Sequence, residues 1–277
     1  MTADIYYIDG NFVSAAESKI PVNDLGLIRG YGVFEVIPSY KSKIFHLEDH
    51  IERLFRSAAA IELDMPWTVD EILEITNETY ERNDHARAWI RVVITGGISP
   101  NNIMPTGESR LIVTVAAVRL PPAEYYSDGV KIVALNEPRY LPGVKSTNYI
   151  PAIRALKKAE LRGAASALYM DDEGFVPEGP TTNLFAFYGN QLVTSKDNIL
   201  PGITRLAVLK LAEGVFPVEY RQLKVDELYQ ADEVFITSTT KEVMPVVQVD
   251  DAIIGDGKVG ERTKNIMRLF ADYAGID

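Results

Sequence analysis

The sequence predicts an α+β protein of two domains. Short β-rich runs alternate with amphipathic helical stretches along the chain, and residues 120–129 (LPPAEYYSDG) interrupt this pattern with two prolines and no periodicity. A length of 277 residues suits two domains of ordinary size. We therefore expect a small α+β domain over residues 1–119, a linker over 120–129 and a larger domain over 130–277.

The first domain begins with a hairpin, because two β-rich runs flank Asp9-Gly10, a type I′ turn pair. Two more strands are predicted around the Lys-Ser-Lys turn at 41–43. Residues 47–63 carry apolar side chains at helical spacing, and a second helix begins with a Thr-x-x-Glu capping box at 68–71. Further strands are predicted in 86–97 and 109–120.

The second domain again mixes strands with helices. Pro151 stands in the first turn of a predicted helix, where proline is tolerated. Helices are predicted over 149–163, 204–214 and 260–275. Strands are predicted in 130–141, in 165–172, on both sides of Gly189-Asn190, and finally in 226–239.

Composition excludes several classes of function. The net charge of −11 and pI of about 4.9 argue against general binding to nucleic acid or anionic membranes. The absence of cysteine rules out disulfides, thiolate nucleophiles and cysteine-ligated metals. No secretory signal is visible, and no apolar run approaches the ~18 residues of a membrane span. We expect a cytoplasmic enzyme.

Two short motifs resemble binding signatures but depart from them. His46 and His50 have the spacing of an HExxH zinc site, yet Leu47 occupies the position of its glutamate. Gly30 and Gly32 begin a GxGxxG pattern, but Glu35 replaces the third glycine. The sequence therefore predicts neither a metal site nor a dinucleotide-binding fold.

Four other stretches carry polar or charged groups that suit binding or catalysis. Lys145 precedes a Ser-Thr-Asn-Tyr run, and Glu178 stands between apolar segments, where a buried carboxylate needs a donor. LPGITR at 200–205 opens a helix whose first N–H groups lack internal partners and favour an anion. Residues 237–240 are four consecutive hydroxyl side chains. Each stretch alone also fits an ordinary turn, helix start or polar loop.

Together these stretches have the order and spacing of one family. VKSTNY around Lys145, VPEGPTTNLF around Glu178, LPGITR, TSTTKEVMPV from 237 and HIERL from 50 resemble the class IV, fold-type IV pyridoxal-phosphate enzymes. That family comprises D-amino-acid aminotransferases, branched-chain aminotransferases, (R)-amine transaminases and aminodeoxychorismate lyase. The resemblance covers essentially the whole chain. It implies a small α/β sandwich-like domain, a larger domain with a β-barrel core, and a homodimer.

The resemblance also implies roles for individual residues. Lys145 would form the Schiff base with pyridoxal 5′-phosphate and shuttle the proton, which demands an amine with a lowered pKa. Glu178 would keep the pyridine nitrogen protonated, and Tyr149 would hydrogen-bond the ring oxygen. The ring would pack on Leu200. The remaining residues form the expected phosphate site: Arg53, Ile203, Thr204, Ser238 and Thr239.

The substrate is harder to predict. Lys145 and Tyr149 are four residues apart, and TSTTKE resembles the D-amino-acid branch. That branch holds the substrate carboxylate with an Arg-x-His pair, but Asn101 and Ile103 stand near its place here. The expected substrate pocket comprises Arg29, Tyr31, Phe34, Trp89, Arg91 and Thr240.

The prediction is a transaminase of D-amino acids, extended to (R)-amines, with pyruvate or 2-oxoglutarate as acceptor. An L-branched-chain aminotransferase is the first alternative, because Trp89-Ile90-Arg91 resembles the Tyr-Ile-Arg of that branch. A lyase of the aminodeoxychorismate type is the second. A vitamer-binding protein without catalysis is the alternative from another class, and the retained Lys145 and Glu178 argue against it.

Overall fold

The computed structural model describes residues 4–276 and divides the chain into two compact units. The first unit contains the residues up to Arg119 together with Val144–Asn148. The second contains Leu120–Gly143 and the residues from Tyr149 onward. The architecture is mixed α+β, with one sheet in each unit.

The division differs from the expected one at the segment Val144–Asn148, which the sequence pattern placed in the second domain. Its backbone bonds to the first unit: Phe34 N–H donates to the Lys145 carbonyl, and Thr147 N–H donates to the Gly32 carbonyl. The proposed linker 120–129 lies in the second unit and contains a short helix. Hydrogen bonds between residues more than a hundred positions apart leave no trace in local periodicity.

The first unit is a six-stranded sheet covered by helices. Its strands are β1 (Ile5–Ile8), β2 (Asn11–Ser14), β3 (Gly32–Tyr40), β4 (Lys43–Ile44), β5 (Ala88–Thr95) and β6 (Arg110–Ala117). Its helices are α1 (Leu25–Arg29), α2 (Leu47–Ala60) and α3 (Val69–Glu81), with a 3₁₀ turn at Ala15–Glu17. The strand order is β2-β1-β6-β5-β3-β4, and all neighbours are antiparallel.

Local sequence signals explain this unit well. Asp9 and Gly10 both have positive φ, which confirms the type I′ turn between β1 and β2. The capping box at the start of α3 is confirmed in both directions between Thr68 and Glu71. The apolar face of α2 packs on β3, and α3 packs on β1, β5 and β6, which places the core between sheet and helices.

The second unit is a mixed eight-stranded sheet. Its strands are β7 (Val130–Asn136), β8 (Ser166–Met170), β9 (Asn183–Tyr188), β10 (Gln191–Thr194), β11 (Val218–Tyr220), β12 (Glu233–Ser238), β13 (Glu242–Val249) and β14 (Ala252–Ile253). Its helices are α4 (Glu124–Ser127), α5 (Ile150–Leu161), α6 (Ile203–Ala212), α7 (Val225–Leu228) and α8 (Glu261–Ala274). The order is β11-β10-β9-β12-β13-β7-β8, and β14 pairs with β13.

This sheet curls so that the segments after its two edge strands meet. Val176 N–H donates to the Leu223 carbonyl at 2.8 Å, and Phe175 bridges Lys224. Val176 and Leu223 belong to one buried apolar cluster together with side chains of β7, β9, β12 and β13. Within residues 4–276, β8 and β11 themselves form no ladder, so the barrel-like core is a curled sheet joined through loop segments.

The prediction that the strand in 226–239 is the last one was wrong. β13 follows it directly and lies in the middle of the sheet, between β12 and β7. Pro245 stands inside β13 opposite Phe235. Because a proline usually argues against a central strand, the sequence pattern does not predict β13.

Within residues 4–276, none of the helices combines the length and apolar character required to cross a membrane.

Candidate active site

The predicted catalytic lysine lies in the short extended segment that joins the edge of β3. Phe34 N–H donates to the Lys145 carbonyl at 3.0 Å, and Lys145 N–H donates to Ser57 Oγ of α2 at 3.2 Å. Thr147 Oγ1 donates to the Gly30 carbonyl at 2.8 Å. The backbone at and beyond the lysine is therefore anchored, and its side chain starts from a fixed point.

Two cations lie around the Phe34 ring. Lys145 Nζ is 4.8 Å from the ring centroid, and the Arg91 guanidinium carbon is 5.3 Å from it. Trp89 and Arg91 alternate with buried residues along β5, so they share one face of the strand. The structure thus brings Lys145, Phe34 and Arg91 together in the first unit, with Trp89 on the same sheet face.

The other two expected pocket residues of this unit have backbone partners. Tyr31 Oη donates to carbonyls at the end of α2, at 3.1 Å from Ile61 O and 2.9 Å from Glu62 O. Arg29 is exposed at the end of α1, and its Nη1 donates to the Ile28 carbonyl at 2.8 Å. Neither contact tests the predicted role of these two residues in substrate binding, which stays a prediction.

A buried charge cluster lies on the helix-covered face of the same sheet. Arg53 Nε and Nη2 donate to the two carboxylate oxygens of Glu35 at 2.7 and 2.6 Å, and His50 Nδ1 lies 2.8 Å from Oε2. Burial alone would raise the pKa of Glu35, but the charge and hydrogen bonds of Arg53 and the contact with His50 lower it to about 2. Burial lowers the pKa of His50, against the effect of Glu35, so a neutral His50 donates from Nδ1.

Sequence reasoning missed Glu35 and His50 as parts of a site. The available signal was that His50 and Arg53 lie three residues apart on the apolar side of α2, where a charge needs a partner. Two guanidinium nitrogens of Arg53 face Glu35, and its contact with a phosphate stays a prediction. In the described part of the chain, no three His, Asp or Glu side chains are grouped to hold a metal ion.

In the second unit, Glu178 is 2% exposed, and two hydrogen-bond donors and one arginine contact its carboxylate. Its Oε1 accepts from Leu200 N–H at 3.1 Å and lies 2.8 Å from Arg139 Nε, and its Oε2 accepts from Asn183 Nδ2 at 3.0 Å. Arg139 also lies over the Tyr169 ring, at 5.8 Å from the centroid. These contacts stabilise the negative charge of the carboxylate in a buried position.

Asn183 connects this carboxylate to the start of α6. Besides Glu178, its Nδ2 donates to the Leu200 carbonyl at 2.9 Å. A Cβ on Gly202 would lie 2.1 Å from Asn183 Oδ1, so the close approach requires glycine. Gly202 supplies no side-chain cap, which leaves the amides of Ile203 and Thr204 at the helix start without an internal partner.

The hydroxyl run ends β12 and forms the turn before β13. Ser238 Oγ accepts from Lys241 N–H at 3.1 Å, with Thr239 and Thr240 at the tip of the turn. Tyr149 immediately precedes α5 and is half-buried. The expected cofactor contacts of Tyr149, Ser238 and Thr239, and the substrate contact of Thr240, stay predictions.

The polar groups in the second unit fit the cofactor that the resemblance implies. A buried carboxylate suits a protonated pyridine nitrogen, while amides at a helix start and neighbouring hydroxyls suit a phosphate. The Cβ clash at Gly202 shows that this backbone is packed to a defined shape. Sequence reasoning missed Arg139 and Asn183, whose roles depend on contacts that only the folded chain makes.

Comparison with known proteins gives the same assignment. The family model of class IV amino-transferases matches residues 32–249. A Methanocaldococcus jannaschii protein provisionally named a branched-chain-amino-acid aminotransferase is 37% identical, over 96% of this chain and 95% of its own. A D-alanine aminotransferase of Staphylococcus aureus is 34% identical, over 96% of each chain.

Solved structures agree with these relatives. The Escherichia coli branched-chain amino acid aminotransferase superposes with a TM-score of 0.92 at 28% identity, covering 99% of this chain and 95% of that one. A T.th. branched-chain amino acid aminotransferase with pyridoxamine 5′-phosphate gives the same TM-score and coverage at 29% identity. The family model covers well over half of the present sequence, and both curated relatives exceed 30% identity across nearly its full length. The chain therefore belongs to the class IV aminotransferases.

Proposed function

We propose that this pyridoxal-phosphate-dependent aminotransferase moves an amino group between a D-amino acid and a 2-oxo acid such as pyruvate or 2-oxoglutarate, and that it also accepts (R)-amines. The observation that carries the choice of branch is the four-residue spacing of Lys145 and Tyr149, combined with the TSTT run at 237–240. The similarity to D-alanine aminotransferases along nearly the whole chain supports it.

When bound, the cofactor supplies an aldehyde for the amino group and a protonated ring that accepts the electron pair of the substrate α-carbon. The residues of this chain provide the rest. Lys145 would remove the proton from the substrate α-carbon and deliver it to the cofactor's C4′ carbon, and its anchored backbone fixes the point from which the side chain starts. Glu178 maintains the ring proton, and the amides of Ile203 and Thr204 hold the phosphate.

An L-branched-chain aminotransferase is the second candidate, and one specific observation favours it. Arg91 lies beside Phe34, which is itself next to Lys145, so a cation and an apolar ring occur together. Such a pair suits a pocket that accepts both apolar side chains and the distal carboxylate of glutamate. The M. jannaschii relative carries that name.

A half-reaction panel tests the proposal. The purified holoenzyme is mixed separately with D-alanine, L-leucine, L-glutamate and (R)-1-phenylethylamine, and loss of the visible absorption band of the bound cofactor is recorded. We expect D-alanine or the amine to bleach the band fastest. Bleaching by L-leucine and L-glutamate alone would assign the enzyme to the branched-chain type and contradict the proposal.

Two controls belong to this panel. Lys145→Ala should abolish bleaching by every donor, while Lys158→Ala, an exposed lysine of α5, should leave it unchanged. Ping-pong kinetics are expected for the full reaction.

We also propose a homodimer located in the cytoplasm, and light scattering of the purified protein would measure its mass.

A further inference from the structure

Lys241 is a half-buried lysine that the expected mechanism does not use. It closes the turn after β12, and its backbone is held at both ends: N–H donates to Ser238 Oγ at 3.1 Å, and the carbonyl accepts from Tyr126 Oη at 3.2 Å. Its ammonium group Nζ reaches Thr181 Oγ1 at 3.3 Å. The side chain therefore has a defined direction and does not extend freely into solvent.

The position of that ammonium group matters because Thr181 belongs to the turn between Glu178 and Asn183. Glu178 and Asn183 form an antiparallel bridge across this turn. Asn183 pairs with Thr237 at the end of β12, so the turn and the hydroxyl run lie side by side. Lys241 Nζ thus lies where the segments expected to bind the cofactor in the second unit converge.

Within residues 4–276, the Lys241 ammonium group forms no ion pair. An ammonium carries three N–H donors, and the hydrogen bond that this one makes goes to a neutral hydroxyl. Among residues 4–276, no carboxylate lies within ion-pair distance of Nζ, and burial alone lowers the pKa of Lys241. A partly desolvated cation in this state gains free energy when an anion binds beside it.

The loop at 99–104 in the first unit, where the D-amino-acid branch would carry its Arg-x-His pair, offers no cation. Asn101 Oδ1 accepts from Ser99 Oγ and from the N–H groups of Ile103 and Met104. Asn101 shapes the loop, and Ile103 is 65% exposed and apolar. Neither residue offers a positive charge to a carboxylate.

We infer that Lys241 binds the α-carboxylate of the amino acid and of the 2-oxo acid, and so replaces the missing Arg-x-His pair. This inference rests on the proposed transaminase function. Carboxylate is favoured over the cofactor phosphate as the ligand because the phosphate already has the α6 amides and the hydroxyls of Ser238 and Thr239 as its expected partners.

The test measures binding in the enzyme that carries pyridoxal 5′-phosphate. A 2-oxo acid does not react with this form, because the cofactor carries no amino group to transfer. Pyruvate and 2-oxoglutarate are titrated calorimetrically into the wild-type enzyme and into Lys241→Gln. Loss of a charge-assisted hydrogen bond should weaken both acids by roughly tenfold to a hundredfold. Lys241→Arg should retain most of the affinity. Lys210→Gln removes an exposed lysine of α6 and should bind both acids like the wild type.

A second titration distinguishes the two anion sources. Inorganic phosphate is titrated into the apoenzyme of the same variants, and we expect equal affinity in all of them. Weaker phosphate binding with unchanged acid binding, or a loss confined to 2-oxoglutarate, would overturn the assignment to the α-carboxylate. Should Lys241→Gln fail to fold, Lys241→Met keeps the apolar stem without the charge and takes its place.

Failure of the inference differs from failure of the proposed function. If no donor bleaches the visible band of the wild-type enzyme, the proposed function is wrong. If donors bleach the band but pyruvate binds Lys241→Gln as tightly as it binds the wild type, the function stands and Lys241 is not the carboxylate ligand.

Discussion

The two units each bury a glutamate against an arginine, but in different ways. Glu35 is fully buried, and the side chains of Arg53 and His50 on one helix contact its two oxygens. Glu178 is almost as buried, yet its partners come from separate parts of the chain: a backbone N–H and an amide side chain donate to it, and Arg139 forms an ion pair with it. The first cluster joins one helix to one strand, whereas the second joins several loops.

From this difference we expect Glu35 to serve the fold and Glu178 to serve the chemistry. A bidentate arginine satisfies both oxygens of Glu35, so this carboxylate mainly holds α2 against β3. Glu178 organises the segments that carry the expected cofactor ligands, Leu200 and the start of α6. Removal of Glu35 should therefore reduce stability, and neutralisation of Glu178 should reduce catalysis.

The largest expected effect is on stability, in Glu35→Ala. The substitution leaves Arg53 buried without its carboxylate, and breaking a buried pair in this way costs about 3–5 kcal/mol. Chemical denaturation measures the free energy of unfolding. Glu52→Ala is the matched control, because Glu52 pairs with Arg56 on the exposed side of the same helix and its loss should cost about 0.5 kcal/mol. Equal losses in both variants would contradict a structural role for Glu35.

The next effect is on catalysis, in Glu178→Gln. A neutral amide cannot hold the positive ring nitrogen, so kcat should fall roughly 10²- to 10³-fold. The free energy of unfolding should change less than in Glu35→Ala, because the amide oxygen still accepts one hydrogen bond. Steady-state kinetics and denaturation are measured on the same preparation, with the exposed turn variant Glu173→Gln as control. A stability loss without a catalytic one would reverse the comparison.

The pH dependence of stability should report on the Glu35 cluster. Glu35 has a pKa of about 2 in the folded protein against 4.5 for the free side chain. The ionised Glu35 therefore stabilises the folded protein above pH 4.5. This contribution, on the order of 3 kcal/mol, is lost as pH falls towards 2.

His50 acts in the same direction. Its lowered pKa means that the unfolded chain takes up a proton first as pH falls below 6.5. Denaturation of the wild type and of Glu35→Gln at a series of pH values checks this expectation. The slope below pH 4.5 should be shallower in the variant, and an unchanged slope would show that Glu35 is not the group responsible.

The smallest effect concerns the packing around Glu178, in Gly202→Ala. The new Cβ would lie 2.1 Å from Asn183 Oδ1 and push the start of α6 away, at a cost of about 1–3 kcal/mol. Cofactor affinity should fall together with stability. Gly214→Ala is the control, since no atom lies within 4 Å of the added Cβ there. Unchanged cofactor affinity in Gly202→Ala would mean that Asn183 does not position the helix start.

Local elements of the fold could be predicted because their causes are local. The capping box at Thr68, the Asp9-Gly10 turn and the apolar stripe of α2 each follow from residues within a few positions of one another. The strand β13 could not be predicted, because Pro245 argues against a central strand. Its pairing with Phe235 is a contact between two strands and follows from the folded sheet.

The family can be assigned without the structure, because the order and spacing of Lys145, Glu178 and the 200–205 and 237–240 stretches are typical of it. Which buried charges pair with one another depends on how the chain folds. Arg53 meets Glu35, Arg139 meets Glu178, and Lys241 meets no carboxylate among residues 4–276. The free energy of a buried charge depends on the atoms around it, and distant segments bring those atoms together only when the chain folds.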